Sequence, residues 1–131
     1  MKYEKKLDEV YAKMRKLEES NEDGYIFCCY CGGMIKWELS VLAHYHKRRH
    51  KSLRWSEINC HPAHANCNNE DESHGDKQNY DKYLKSRYGN TILKEMELKK
   101  NSTVKFTENE IKEKIAYCSN RIIELKKLKR L

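Results

Sequence analysis

The chain has 131 residues, of which 38% are hydrophobic and 36% charged, with a mean hydropathy of -1.03. That is enough length for one domain and little material for a large core, so a metal that adds folding energy directly would suit it. A net charge of +7 and a pI near 9.0 point to a polyanionic partner such as DNA or RNA. No apolar run is long enough to span a bilayer, and the N-terminus, MKYEKKLDEV, lacks the apolar core of a signal peptide. The expected location is therefore the cytoplasm, where six cysteines indicate metal binding rather than a disulfide framework.

In chain order, Tyr3, Leu7, Val10, Tyr11, Met14 and Leu17 recur at helical spacing and predict a helix over roughly Lys2 to Glu19, ended by the polar run to Gly24. Cys28-x-x-Cys31 follows, with Gly32-Gly33 supplying backbone freedom for a tight turn. Met34 to Tyr45 alternates in part and predicts a strand or strand pair, and Arg54 to Cys60 predicts another short strand. His64-x-x-Cys67 forms a second ligand step, and the chain is then polar through Gly75. Tyr80, Tyr83, Leu84, Tyr88, Ile92, Leu93 and Met96 predict further helix, with Gly89 able to divide it. Thr107 and Glu110 make a capping-box signature, after which Ile111, Ile115, Cys118, Ile122, Leu125 and Leu128 share one helical face. Three parts result within a single domain, 1–131: an N-terminal helix (1–23), a central core with its following helix (24–100) and a C-terminal helix (101–131). Apolar stripes on the terminal helices could also serve a homodimer.

Four soft donors in two short steps suit a closed tetrahedral zinc site, and Cys28, Cys31, His64 and Cys67 are the expected ligands. Cys29, Cys60 and His61 compete for the same role, while Cys118 reads as a small core residue. Around these steps lie His44, Asn59 and Asn68. In a strand, His44 and His46 would share a face. The cluster Lys47, Arg48, Arg49 and Lys51, followed by Arg54, directly follows these histidines and is placed to contact phosphate.

This order of residues resembles the HNH nucleases. It is more closely similar to the lambda NinG (Rap) family of phage recombination proteins, through Cys28-Cys-Tyr-Cys-Gly, Ala43-His-Tyr, Leu53-Arg-Trp, Asn59-Cys-His, Cys67-Asn and Tyr80…Leu84…Tyr88-Gly89. A more distant likeness is to the phage endonuclease VII class of junction resolvases. The resemblance covers roughly Cys28 to Gly89 and implies an α+β fold: a zinc-braced ββα-metal core flanked by N- and C-terminal helices. It also implies an endonuclease acting on branched DNA in a bacterial host.

In such an enzyme His44 is the general base, with His46 as the alternative, and Asn59 orients it. Asn68 and Asp71 would bind a catalytic Mg²⁺ or Mn²⁺, and the zinc would be structural. Many HNH enzymes carry an aspartate immediately before the base, where this chain and the NinG family have no acid; here the residue is Ala43. Asp71, Glu70, His46 or His74 would then complete the metal site. The competing expectations are a catalytically inactive zinc-braced DNA-binding module and a protein-interaction zinc module.

Overall fold

The computed structural model describes residues 2–68 and 74–131, apart from the side chains of residues 74–76. Among these residues the fold is α+β, with five α-helices and two small antiparallel sheets. Helix α1 (Glu4–Glu19) is followed by strands β1 (Tyr25–Phe27) and β2 (Met34–Lys36), which pair with each other around the first cysteine step. Strand β3 (Val41–His44) pairs with β4 (Cys60–Ala63), placing Ala43 opposite His61 and His44 opposite Cys60. Between them lies α2 (Lys51–Arg54), and after the second ligand step come α3 (His74–Tyr88), α4 (Ile92–Lys100) and α5 (Glu108–Lys129). No helix among the described residues is long and apolar enough to cross a membrane.

Two clusters of buried residues lie on the β3–β4 hairpin. One unites Leu7, Tyr11, Met14 and Leu17 of α1 with Ile111, Cys118, Ile122 and Leu125 of α5, joined by Leu42 and Cys60. The other gathers Cys28, Cys29 and Tyr30 with Ala43, Ala63, Tyr80, Leu84, Ile92 and Met96. Successive strand residues face opposite ways, so Leu42 joins the first cluster while Ala43 joins the second. The predicted capping box forms: Thr107 Oγ1 accepts from the Glu110 N–H at 3.1 Å, and Glu110 accepts from the Thr107 N–H at 3.0 Å. Gly89, with φ of 101°, separates α3 from α4 in a backbone conformation that side-chain-bearing residues rarely adopt.

The expected strand over Arg54–Cys60 does not form. The segment holds the end of α2 and a 3₁₀ turn (Glu57–Asn59), and the strand begins only at Cys60. The reason lies in Asn59, which is fully buried. Its Nδ2 donates to the carbonyls of His46 and Leu53, each at 3.0 Å, and its Oδ1 accepts from the His46 N–H at 2.8 Å. These bonds fold the chain back on itself where an extended strand would run straight.

The charged residue Arg15 is also fully buried, at 1% exposure, beneath α1. Its Nε and Nη2 donate to the Cys60 carbonyl at 3.2 and 3.0 Å, and its Nη1 donates to Glu18 and Glu19. It ties α1 to the start of β4. Arg15→Ala leaves that carbonyl without its donor and opens a void, so denaturant unfolding is expected to show a loss of about 2–3 kcal/mol. An unchanged midpoint would contradict this role.

Candidate functional site

The two ligand steps converge. The donor atoms of Cys28, Cys31, His64 and Cys67 all lie within 4.8 Å of one another, and Cys31 Sγ is 3.4 Å from His64 Nδ1. Ligands of a tetrahedral zinc sit about 3.5–3.8 Å apart, given metal–sulfur and metal–nitrogen bonds of about 2.3 and 2.0 Å. The set therefore fits zinc by donor type and by spacing. Gly32 takes a φ of 76°, and a Cβ on Gly33 would stand 3.3 Å from the His64 ring and 3.4 Å from Cys31 Sγ. The first glycine makes the turn; the second leaves room for the ligands to close.

Backbone groups are aimed at the sulfurs. The N–H groups of Tyr30 and His64 point to Cys28 Sγ, and that of Gly33 points to Cys31 Sγ, each at 3.4 Å. Although burial opposes it, the backbone N–H groups of Cys31, His64 and Tyr30 hold the Cys28 thiol below its ordinary range. Burial and the neighbouring Cys28 and Cys31 push Cys67 up, as expected where three thiols crowd one point and only a cation lets all of them ionise.

The competing donors are elsewhere. Cys29 is buried under the second cluster with its Sγ toward the His61 carbonyl, and burial raises its pKa far above the usual thiol value. Cys60 is likewise buried and pushed up to about 12. His61 is enclosed by tyrosines, with Nδ1 3.0 Å from Tyr80 Oη and Nε2 2.8 Å from Tyr88 Oη. Burial, with Arg15 and Arg87 nearby, lowers its pKa to about 3. It is a neutral core imidazole whose ring holds two phenols.

A separate cleft of about 260 Å³ opens beside β3, lined by Leu42, His44, Lys47, Arg48 and Asn68. It brings together the expected base, one expected metal ligand and two expected phosphate contacts. His44 Nε2 lies 3.0 Å from the Arg54 carbonyl. A carbonyl can only accept, so Nε2 carries the proton and Nδ1 keeps the lone pair. Burial lowers the His44 pKa and Arg48 reinforces this, while the backbone carbonyls of Arg54 and Leu42 and the Asp8 carboxylate oppose it. The imidazole is therefore neutral near pH 7.

Asn59 does not enter this cleft. It pins both ends of the loop between His46 and Leu53, next to the carbonyl that holds His44, and its own carbonyl accepts from the Tyr45 N–H at 2.9 Å. Asn68 closes the second ligand step, donating its N–H to the His64 carbonyl at 3.1 Å, and its Oδ1 lies 3.5 Å from Tyr30 Oη. Asp71 and Glu70 lie outside the described residues, as does the side chain of His74.

Strand β3 ends at His44, so His46 does not continue its face. It packs instead against the rings of Tyr45 and His50, with Glu97 Oε2 at 3.9 Å from Nε2. Burial, together with Lys100 and Lys77, lowers its pKa to about 4. It is not among the residues lining the cleft.

The five basic candidates divide into two groups. Lys47, Arg48 and Arg49 are exposed. Lys51 and Arg54 turn toward α1, where Lys51 meets Glu4 at 3.2 Å and Arg54 is bonded to both Glu4 and Asp8. Asp8 and Glu4, the partners of Arg54, carry no signal in the sequence that separates them from the other charged residues of α1.

A family model described as the bacteriophage lambda NinG protein matches residues 1–129. No curated protein and no solved structure matches the chain.

Proposed function

The chain belongs to the bacteriophage lambda NinG family, and from that premise we propose that it is a metal-dependent endonuclease that hydrolyses phosphodiesters in branched recombination intermediates. The observation that carries this reading is the cleft in which His44, held as the Nε2–H tautomer, shares walls with Asn68, Lys47 and Arg48. His44 Nδ1 takes a proton from the attacking water. Lys47 and Arg48 bind backbone phosphates and set the scissile bond beside the base, with Arg49 extending the contact. A bound Mg²⁺ or Mn²⁺, held by Asn68 and Asp71, would supply positive charge for the phosphoryl and leaving oxygens. A zinc ion held by Cys28, Cys31, His64 and Cys67 would keep the second ligand step, and Asn68 with it, beside the cleft.

A second reading, a catalytically idle DNA-binding module, draws on Ala43. Its side chain is fully buried in the second core cluster, and no carboxylate lines the cleft among the described residues. Cleavage of four-way-junction, flap and linear duplex DNA, each in Mg²⁺, Mn²⁺ or EDTA, separates the two. The nuclease reading expects divalent-dependent cutting that favours branched substrates. Salt-sensitive binding of the same DNAs without cutting, by protein that retains zinc, would instead establish the idle module.

A further inference from the structure

The loop that holds His44 in place is itself poorly self-supporting. Residues 47–54 carry Lys47, Arg48, Arg49, Lys51 and Arg54, a run of like charges, and α2 within it is only four residues long with no side-chain cap. Helix α1 supplies the missing anions. Asp8 grips Arg54 as a fork: Nε donates to Oδ1 at 3.0 Å and Nη2 to Oδ2 at 2.6 Å, while the Trp55 indole N–H donates to the same Oδ1 at 3.0 Å. Glu4 accepts from the third guanidinium nitrogen at 2.7 Å. The backbone carbonyl of this same Arg54 is the acceptor for His44 Nε2, and Asn59 ties down the preceding carbonyl of Leu53.

We propose that Asp8 is a positioning residue for His44: by fixing the Arg54 side chain it sets the Arg54 carbonyl against Nε2, which keeps the proton there and leaves Nδ1 as the unprotonated ring nitrogen. The chain of contacts runs from α1, through Arg54, to the imidazole. Both Asp8 oxygens are occupied by donors, so its contribution is orientation rather than metal ligation. The role of His44 in this proposal rests on the nuclease reading, whereas the clamp itself does not.

The test uses the full-length, zinc-loaded protein with ¹⁵N-labelled histidine. In the native protein the His44 ring is expected to show a single Nε2–H tautomer. Asp8→Asn preserves shape but loses the charged fork, so the ring signals should shift to a mixture of tautomers. Steady-state cleavage should fall about tenfold in kcat. KM for DNA should not rise, because an anion near the cleft has been removed. Arg54→Lys, which keeps the charge without the fork, should reproduce both effects if Asp8→Asn folds poorly. Glu4→Gln, which leaves the fork intact, should keep the native tautomer. Unchanged His44 ring signals in both Asp8→Asn and Arg54→Lys would overturn the proposal. If the native protein cuts no DNA, the nuclease reading falls, and with it the catalytic role of the clamp. The ring signals then still decide whether Asp8 holds His44.

Discussion

Stripping zinc from the Cys28, Cys31, His64 and Cys67 cluster is expected to unfold the protein, rather than merely to loosen one loop. The cluster joins the β1–β2 turn to the segment after β4 through four donors that lie within 4.8 Å of one another. Zinc contributes about 10–16 kcal/mol of apparent binding free energy in small Cys/His sites near pH 7, while whole domains are stable by only about 5–15 kcal/mol. The second core cluster contains Cys28 and packs Cys67 at its edge, and it shares the β3–β4 hairpin with the first. Loss of the ion therefore reaches both.

One zinc per chain is expected by metal analysis, with a large drop in melting temperature on chelation. Cys67→Ser should lose the ion, whereas Cys29→Ser should retain it, because Cys29 points to the His61 carbonyl beneath the core. Retention of zinc by Cys67→Ser together with its loss from Cys29→Ser would reassign the ligand set. Acid should mimic chelation, since protons compete for the three thiolates and the imidazole.

Replacing His44 by alanine is expected to cut the cleavage rate by about 10²–10⁴, the range that a positioned general base supplies. Fold and zinc content should be little affected, because His44 is only partly buried and sits at the end of β3. The pH dependence gives a second signature. Burial lowers the His44 pKa below the ordinary 6.5, and a base works only when unprotonated. The acid limb of kcat/KM should therefore fall below pH 6.5, with a plateau at neutral pH. The sign is the same for stability. The unfolded imidazole takes up a proton before the folded one, so the native state loses stability as pH falls from about 6.5 through the folded pKa. His61→Ala should change stability and leave no such catalytic limb missing, since His61 is bonded to Tyr80 and Tyr88 away from the cleft.

The parts of this architecture that could be read in the sequence are those whose physics is local. Two-residue ligand steps, a capping box at Thr107 and Glu110, and the 3.6-residue stripes of α1 and α5 all depend on near neighbours, and all recur in the structure except that Leu128, at the end of the α5 stripe, is exposed. The family likeness carried by residues 28–89 extends, in the family match, across both terminal helices. What escaped was set by distant partners. The segment around Arg54–Asn59 has residues that suit a strand, but the buried Asn59 amide bonds across to His46 and folds it as a turn.

Arg15 and Asp8 lie among many charges on α1, and nothing in the pattern marks one as buried under β4 and the other as the clamp on Arg54. Arg54 itself read as a phosphate contact because of its basic neighbours; its side chain is instead engaged by α1. Ala43 stands where many HNH enzymes carry an acid. In the structure it faces the apolar cluster with its carbonyl accepting from Tyr80, a setting in which a carboxylate would be buried without a partner.

The central claim is that the cleft beside β3 cuts DNA with His44 as base. The measurement that bears on it most directly is the single-turnover cleavage rate of a labelled four-way junction in Mg²⁺, for native protein and His44→Ala, both shown to hold one zinc. The account predicts cutting by the native protein that EDTA abolishes and that His44→Ala reduces at least a hundredfold. Equal rates for the two proteins, or no cutting by zinc-loaded native protein in either Mg²⁺ or Mn²⁺, would contradict it.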